Sequence, residues 1–140
     1  MNSGDMWYNA LYMNDRISLQ TGAAPNKDEI MVANFLAGQD RTIRIRFLAV
    51  SKFKGVRTPD IEMDGVRWEI KCPRGKGANT IKRAFQVASN QANNIIFDLR
   101  SSKMSDRVNV PGLEKEFRDI KMVKRLLVIT KSKKLLRYHK

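Results

Sequence analysis

A mixed α/β fold, a β-sheet flanked by helices, follows from three features of the sequence. Asp64-Gly65 separates two short strand-like runs, Pro59 to Met63 and Val66 to Cys72, which is a strong signal for a tight hairpin. An amphipathic stripe, Ile81, Ala84/Phe85, Ala88 and Ala92, follows the hairpin. Ile95-Ile96-Phe97-Asp98-Leu99 then reads as a continuously apolar strand of the buried type. A helix between two strands of one sheet implies a crossover connection.

The remaining elements fall into place around this core. Pro25-Asn26-Lys27-Asp28-Glu29 reads as a helix start, with Asn26 as N-cap and Glu29 three residues on. Ile30, Ala33, Phe35, Leu36 and Ala37 continue it, and Gly38 is expected to close it. Thr42 to Leu48 alternates as a strand. Lys52 to Arg57 and Arg74-Gly75-Lys76-Gly77 are basic loops. Asn79 or Thr80 caps a helix expected to run to about Asn94, and a third helix is expected over Pro111 to Lys124, with Pro111 in its first turn. Leu126 to Thr130 is a strand, and Leu135-Leu136 is a candidate short strand in a basic tail. Trp7, Tyr8, Leu11 and Tyr12 sit at helical spacing near the N-terminus. The expected organisation is one domain over 1–140: an extension at 1–25, a core at 26–130 and a basic tail at 131–140, with helices on both faces of the sheet.

With 140 residues the chain is long enough to bury roughly 65–70% of its unfolded surface without a staple. Its one cysteine, Cys72, excludes an internal disulfide framework. One histidine, His139, excludes an ordinary structural zinc site, His-based triads and a two-histidine ribonuclease mechanism. Any catalysis therefore rests on carboxylates, lysines and a cation that favours oxygen ligands. The net charge of +13 is uneven: residues 1–40 carry 2 basic and 5 acidic side chains, whereas residues 41–140 carry 25 and 9, a net +16. Such a surface favours polyanions by counterion release. No apolar run is long enough to span a membrane, so no membrane insertion is expected. The first residues lack the basic and apolar regions of a signal peptide.

The chemistry-bearing segment runs from Thr58 to Lys71. Strand alternation puts Glu69 and Lys71 on one face and Trp68 and Ile70 on the other, apolar face. With Asp64-Gly65 as the turn centre, Asp60 faces Glu69 across the hairpin, where Cβ atoms stand about 5 Å apart. Like charges that close need a shared proton or a cation, and Mg²⁺ prefers carboxylates, water and phosphate oxygens.

Pro59-Asp60, with Glu69-Ile70-Lys71 following, resembles the PD-(D/E)XK nuclease superfamily. Glu29 stands in the place of the acidic residue that many members keep on the preceding helix. The next helix, with Gln86, Asn90 and Gln91, fits the superfamily's restriction-endonuclease-like αβββαβ core, here with an added helix and strand. The stretch Glu69 to Leu99 is similar to the tRNase-type C-terminal toxin domains of contact-dependent growth-inhibition (CdiA) proteins, which sit at the end of very large secreted proteins. The resemblance covers roughly residues 26–130. It implies a bacterial toxin domain acting in a target cell's cytoplasm, and metal-dependent phosphodiester hydrolysis in RNA, tRNA in particular. Asp60, Glu69 and the Ile70 backbone carbonyl hold Mg²⁺ or Mn²⁺ in this reading, and Lys71 orients or deprotonates the attacking water. A cognate immunity protein is the implied protein partner.

Several of these residues have plainer readings. Glu29 has a capping role available as well as a metal-binding one. Gln91 is a candidate site-adjacent residue or an ordinary helix residue. Lys52, Lys54, Arg57, Arg74, Lys76 and Lys82 flank the motif and are the candidate phosphate contacts. The tail from Lys131 to Lys140 suits nonspecific electrostatics. Trp7, Tyr8 and Tyr12 suit a core, a partner surface or a stacking platform equally. Two further functions fit the same fold: a DNA endonuclease, and a noncatalytic nucleic-acid-binding module. The intact Asp60, Glu69 and Lys71 argue against the last.

Overall fold

The structure is a computed structural model and describes residues 14–140. The helical spacing at Trp7, Tyr8, Leu11 and Tyr12 lies outside the described residues. The chain divides into two compact units, one ending at Arg67 and the other spanning Trp68–Lys140.

The first unit carries strands β1 (Ile17–Leu19), β2 (Ile45–Phe47) and β3 (Ile61–Met63) and helix α1 (Lys27–Gln39). β1 pairs parallel with β2, and β2 antiparallel with β3. α1 starts as expected. Asn26 Oδ1 accepts from the Glu29 backbone N–H at 2.9 Å, and Glu29 Oε1 accepts from the Asn26 N–H at 3.0 Å, a complete capping box. Ile30, Val32, Ala33, Leu36 and Ala37 are buried.

The C-terminus of α1 differs from expectation. Gly38 lies inside the helix and Asp40 is the C-cap in extended conformation. The helix end is closed from β1's side of the chain. The Arg16 guanidinium donates to the carbonyls of Ala37 at 2.9 Å, Asp40 at 2.8 Å and Ile43 at 3.1 Å. A cation there also meets the negative end of the helix dipole. β2 is shorter than the alternation from Thr42 suggests, because Asp40 Oδ1 accepts from both the backbone N–H and the hydroxyl of Thr42 and holds that end in a turn. The turn between β3 and the next strand has φ of 52° at Asp64 and 82° at Gly65, the left-handed pair that a two-residue hairpin turn requires.

The second unit carries β4 (Val66–Lys71, its first residues shared with the preceding unit), β5 (Asn94–Asp98), β6 (Arg125–Ile129) and β7 (Leu135–His139), with helices α2 (Thr80–Ser89) and α3 (Asp106–Asp119). β4, β5 and β6 run parallel, and β7 closes antiparallel on β6. The parallel pairing of β4 with β5 across α2 is the crossover expected from the sequence. The core joins Phe85, Phe97, Leu113, Leu126 and Val128, with the Phe85 and Phe97 rings stacked at 5.8 Å. Among the described residues no helix is long and apolar enough to cross a membrane.

From α1 onward the elements read αβββαβ, then α3, β6 and β7. Three elements depart from the sequence reading at their boundaries. α2 stops at Ser89, short of Asn94, because Asn94 already begins β5. α3 begins at Asp106, holds Pro111 in its interior and ends at Asp119, short of Lys124. Its start is fixed by contacts: Asp106 accepts from the backbone N–H groups of Lys131 and Ser132, and buried Asn109 donates to Ser102 Oγ at 2.8 Å. Those contacts outweigh the roughly 3 kcal/mol that an interior proline costs a helix. Residues 135–139 form a full strand, longer than Leu135-Leu136 alone.

Candidate active site

In the first unit two acidic side chains meet. Glu29 stands in the first turn of α1, and Asp60 immediately precedes β3, where its carbonyl accepts from the Leu48 N–H at 3.0 Å. Burial pushes the Glu29 carboxyl up to about 7; the Asn26 N–H that it accepts works against the rise, and the charge of Asp60 and a side-chain hydrogen bond to it add to the rise. Both carboxyls line a cavity of about 190 Å³, together with Pro25, Val50, Thr58 and Pro59. Of the two roles open to Glu29 in the sequence, capping and metal binding, the capping box is formed, and the same side chain lines the cavity beside Asp60.

In the second unit β4 buries three successive side chains, Trp68, Glu69 and Ile70, so burial does not divide its two faces as the alternation predicts. Trp68 and Ile70 are 5% and 7% exposed, and the buried Trp68 indole N–H meets no acceptor among the described residues. Glu69 is itself buried, and its Oε2 stands 3.5 Å from Lys71 Nζ. The pair combines an anionic oxygen donor with an ammonium that reaches solvent. Gln91 lies in the turn after α2, half-buried, its N–H donating to the Ala88 carbonyl at 2.9 Å. Gln86 and Asn90 are exposed. The cations Lys52, Lys54, Arg57, Arg74, Lys76 and Lys82 are all exposed.

Asp98 and Arg100, at the end of β5, escape a reading of the sequence. Arg100 Nε donates to Asp98 Oδ1 at 2.9 Å and its terminal nitrogen to Oδ2 at 2.8 Å, a two-pronged pair in which Asp98 is buried. The Asp98 carboxylate raises the guanidinium's pKa further. Because Lys71 registers with Phe97 in the parallel pairing, this fixed guanidinium stands at the strand end that it shares with Lys71. The signal was present only as a polar pair two apart at the end of an apolar run.

The donors present are hard carboxylate oxygens, the chemistry that Mg²⁺ and Mn²⁺ favour. Among the described residues no group of three or more His, Cys, Asp or Glu side chains is placed to hold a metal ion. A cation held by Glu29 and Asp60 in the first unit, or by Glu69 in the second, would therefore draw the rest of its shell from backbone carbonyl, water and substrate oxygens, as Mg²⁺ commonly does.

The architecture has a counterpart among solved structures. The solved CdiA-CT/CdiI toxin and immunity complex from Burkholderia pseudomallei contains a chain similar in fold, with a TM-score of 0.62 and 19% identity, over 88% of this chain and 99% of that one. No curated protein sequence matches the chain. Residues 57–135, more than half of the sequence, match the contact-dependent growth inhibition CdiA C-terminal domain, and the chain belongs to that family of toxin domains. The matched span includes Asp60, Glu69, Lys71 and Gln91.

Proposed function

We propose that this chain is the toxin effector of a contact-dependent growth inhibition system and a metal-dependent endonuclease that hydrolyses phosphodiester bonds in RNA, with tRNA as its substrate. The observation that carries the reading is the Glu69–Lys71 pair, a buried carboxylate and a solvent-reaching ammonium 3.5 Å apart on one strand face. Asp60, Glu69 and the Ile70 carbonyl are the residues that hold the cation, with Glu29 against Asp60 as a further oxygen donor. Bound there, Mg²⁺ or Mn²⁺ supplies a water of lowered pKa and a polarised phosphate. Lys71 donates N–H groups that orient the attacking water and offset phosphate charge. Glu69 keeps that ammonium in place. Gln91, in the turn after α2, is the site-adjacent residue. Lys52, Lys54, Arg57, Arg74, Lys76 and Lys82 bind the phosphates on either side of the scissile bond.

The net +16 of residues 41–140 supports a polyanionic substrate. It also supports an acidic immunity protein as the partner that blocks this surface, in keeping with the toxin and immunity complex of the fold relative. The toxin is delivered by a larger secreted protein and acts in the target cell's cytoplasm. Gel analysis of total RNA after brief expression in bacteria, followed by purified tRNA with and without EDTA, tests the reading. Discrete tRNA fragments that vanish with EDTA are expected. Intact tRNA beside cleaved duplex DNA would move the substrate to DNA.

A further inference from the structure

The segment from Arg41 to Arg57 carries six basic side chains and no acidic one. Its outer loop also exposes apolar surface: Val50 is 82% exposed, Phe53 77% and Val56 56%. Single exposed apolar residues are ordinary, but three in one short loop are a patch. The loop is held in shape from within. The Ser51 N–H donates to Thr58 Oγ1 at 2.9 Å, the Phe53 N–H to Ser51 Oγ at 3.1 Å, and the Val56 N–H to the Phe53 carbonyl at 3.2 Å. Phe53 is flanked directly by Lys52 and Lys54, both exposed. The two ends of the loop, Val50 and Thr58, line the same cavity as Glu29 and Asp60.

We infer that this loop is a base-stacking platform: Phe53 takes the face of an unpaired base of the RNA substrate, and Lys52 and Lys54 take the phosphates on either side of it. The inference rests on the RNA reading above and adds a residue to it. The chemistry favours nucleic acid over a protein surface. Protein interfaces bury aromatic anchors among residues depleted in lysine. An aromatic ring set between two ammonium groups matches a ligand that alternates π-faces with phosphates. An unpaired segment is required, because paired bases keep their faces stacked on one another. Since the ends of the loop border the carboxyl-lined cavity, a base seated on Phe53 holds neighbouring nucleotides close to Asp60. The platform thus selects for unpaired nucleotides beside the bond to be cut.

The test measures binding rather than cleavage, in EDTA, with two RNAs of equal length: a hairpin with an unpaired loop and a fully paired duplex. Phe53→Ala is expected to weaken the hairpin by about 5- to 100-fold and to leave the duplex unchanged, as loss of one base–aromatic stack does. Phe53→Trp should restore hairpin binding, and its added indole fluorescence should be quenched by the hairpin and not by the duplex. Lys52→Ala with Lys54→Ala should weaken both RNAs and flatten the salt dependence. Circular dichroism checks that the variants remain folded. Equal hairpin affinity for wild type and Phe53→Ala overturns the platform, even if tRNA is cleaved. So does wild type that binds neither RNA, or a Phe53→Ala variant that loses an immunity protein and keeps RNA. Selective loss of the hairpin by a protein that cuts no RNA would uphold the platform and overturn the nuclease.

Discussion

Glu29 and Asp60 are hydrogen-bonded through their side chains, although one sits in the first turn of a helix and the other just ahead of a strand. The same Glu29 carboxyl accepts from the Asn26 N–H at 3.0 Å. Helix capping and the acidity of the site are therefore coupled through one group.

That coupling predicts a pH dependence. Glu29 titrates at about 7 in the fold against 4.5 for the ordinary carboxyl. The folded state then binds more protons than the unfolded state between those values, so stability is highest below about pH 4.5 and falls as pH rises through 7. After discounting for the part of the carboxyl that reaches solvent, the change is roughly 1 kcal/mol. Thermal melts between pH 5 and 8 in EDTA should show Tm falling with pH. Glu29→Gln, which retains the capping box, should flatten that slope; an unchanged slope would place the proton elsewhere.

A divalent cation should act in the opposite sense. Millimolar Mg²⁺ or Mn²⁺ is expected to raise Tm at pH 7.5 by mass action on the folded state. Asp60→Ala should abolish the shift. Equal shifts in wild type and variant would show that the cation binds at some other place.

Lys71→Ala should keep the fold, because the side chain points away from Ile70 and reaches solvent. Loss of a positioned group beside the attacking water typically lowers rate by about 10²–10⁴. Cleavage of purified tRNA and circular dichroism on the same sample make the comparison. A folded Lys71→Ala protein that cut at the wild-type rate would make the Glu69–Lys71 pair structural. Ile70→Asp, which puts a charge into the core, should by contrast fail to fold.

Arg16→Ala should destabilise the first unit by about 1–2 kcal/mol, since two carbonyls at the end of α1 and that of Ile43 beyond it lose a charged donor. Denaturant melts give the value. Arg16→Lys should recover only part of it, as an ammonium cannot span three acceptors with a planar fork.

Sequence alone determined what depends on near neighbours. The Asn26–Glu29 capping box, the Asp64-Gly65 turn and the proximity of Glu69 and Lys71 follow from spacings of three, one and two residues, and local backbone geometry fixes each. The parallel crossover through α2 followed from the same periodicities. Tertiary structure decided what distant segments do to one another. It seated Glu29 against Asp60, which capping logic could not foresee, because that contact depends on how α1 docks. It started α3 at Asp106 despite Pro111, since the backbone of Lys131 and Ser132 and the buried Asn109 outweigh a local proline rule. It made a strand of residues 135–139 by offering β6 as a partner. Propensity and periodicity carry no information about such partners; burial and hydrogen-bond satisfaction between distant segments select them.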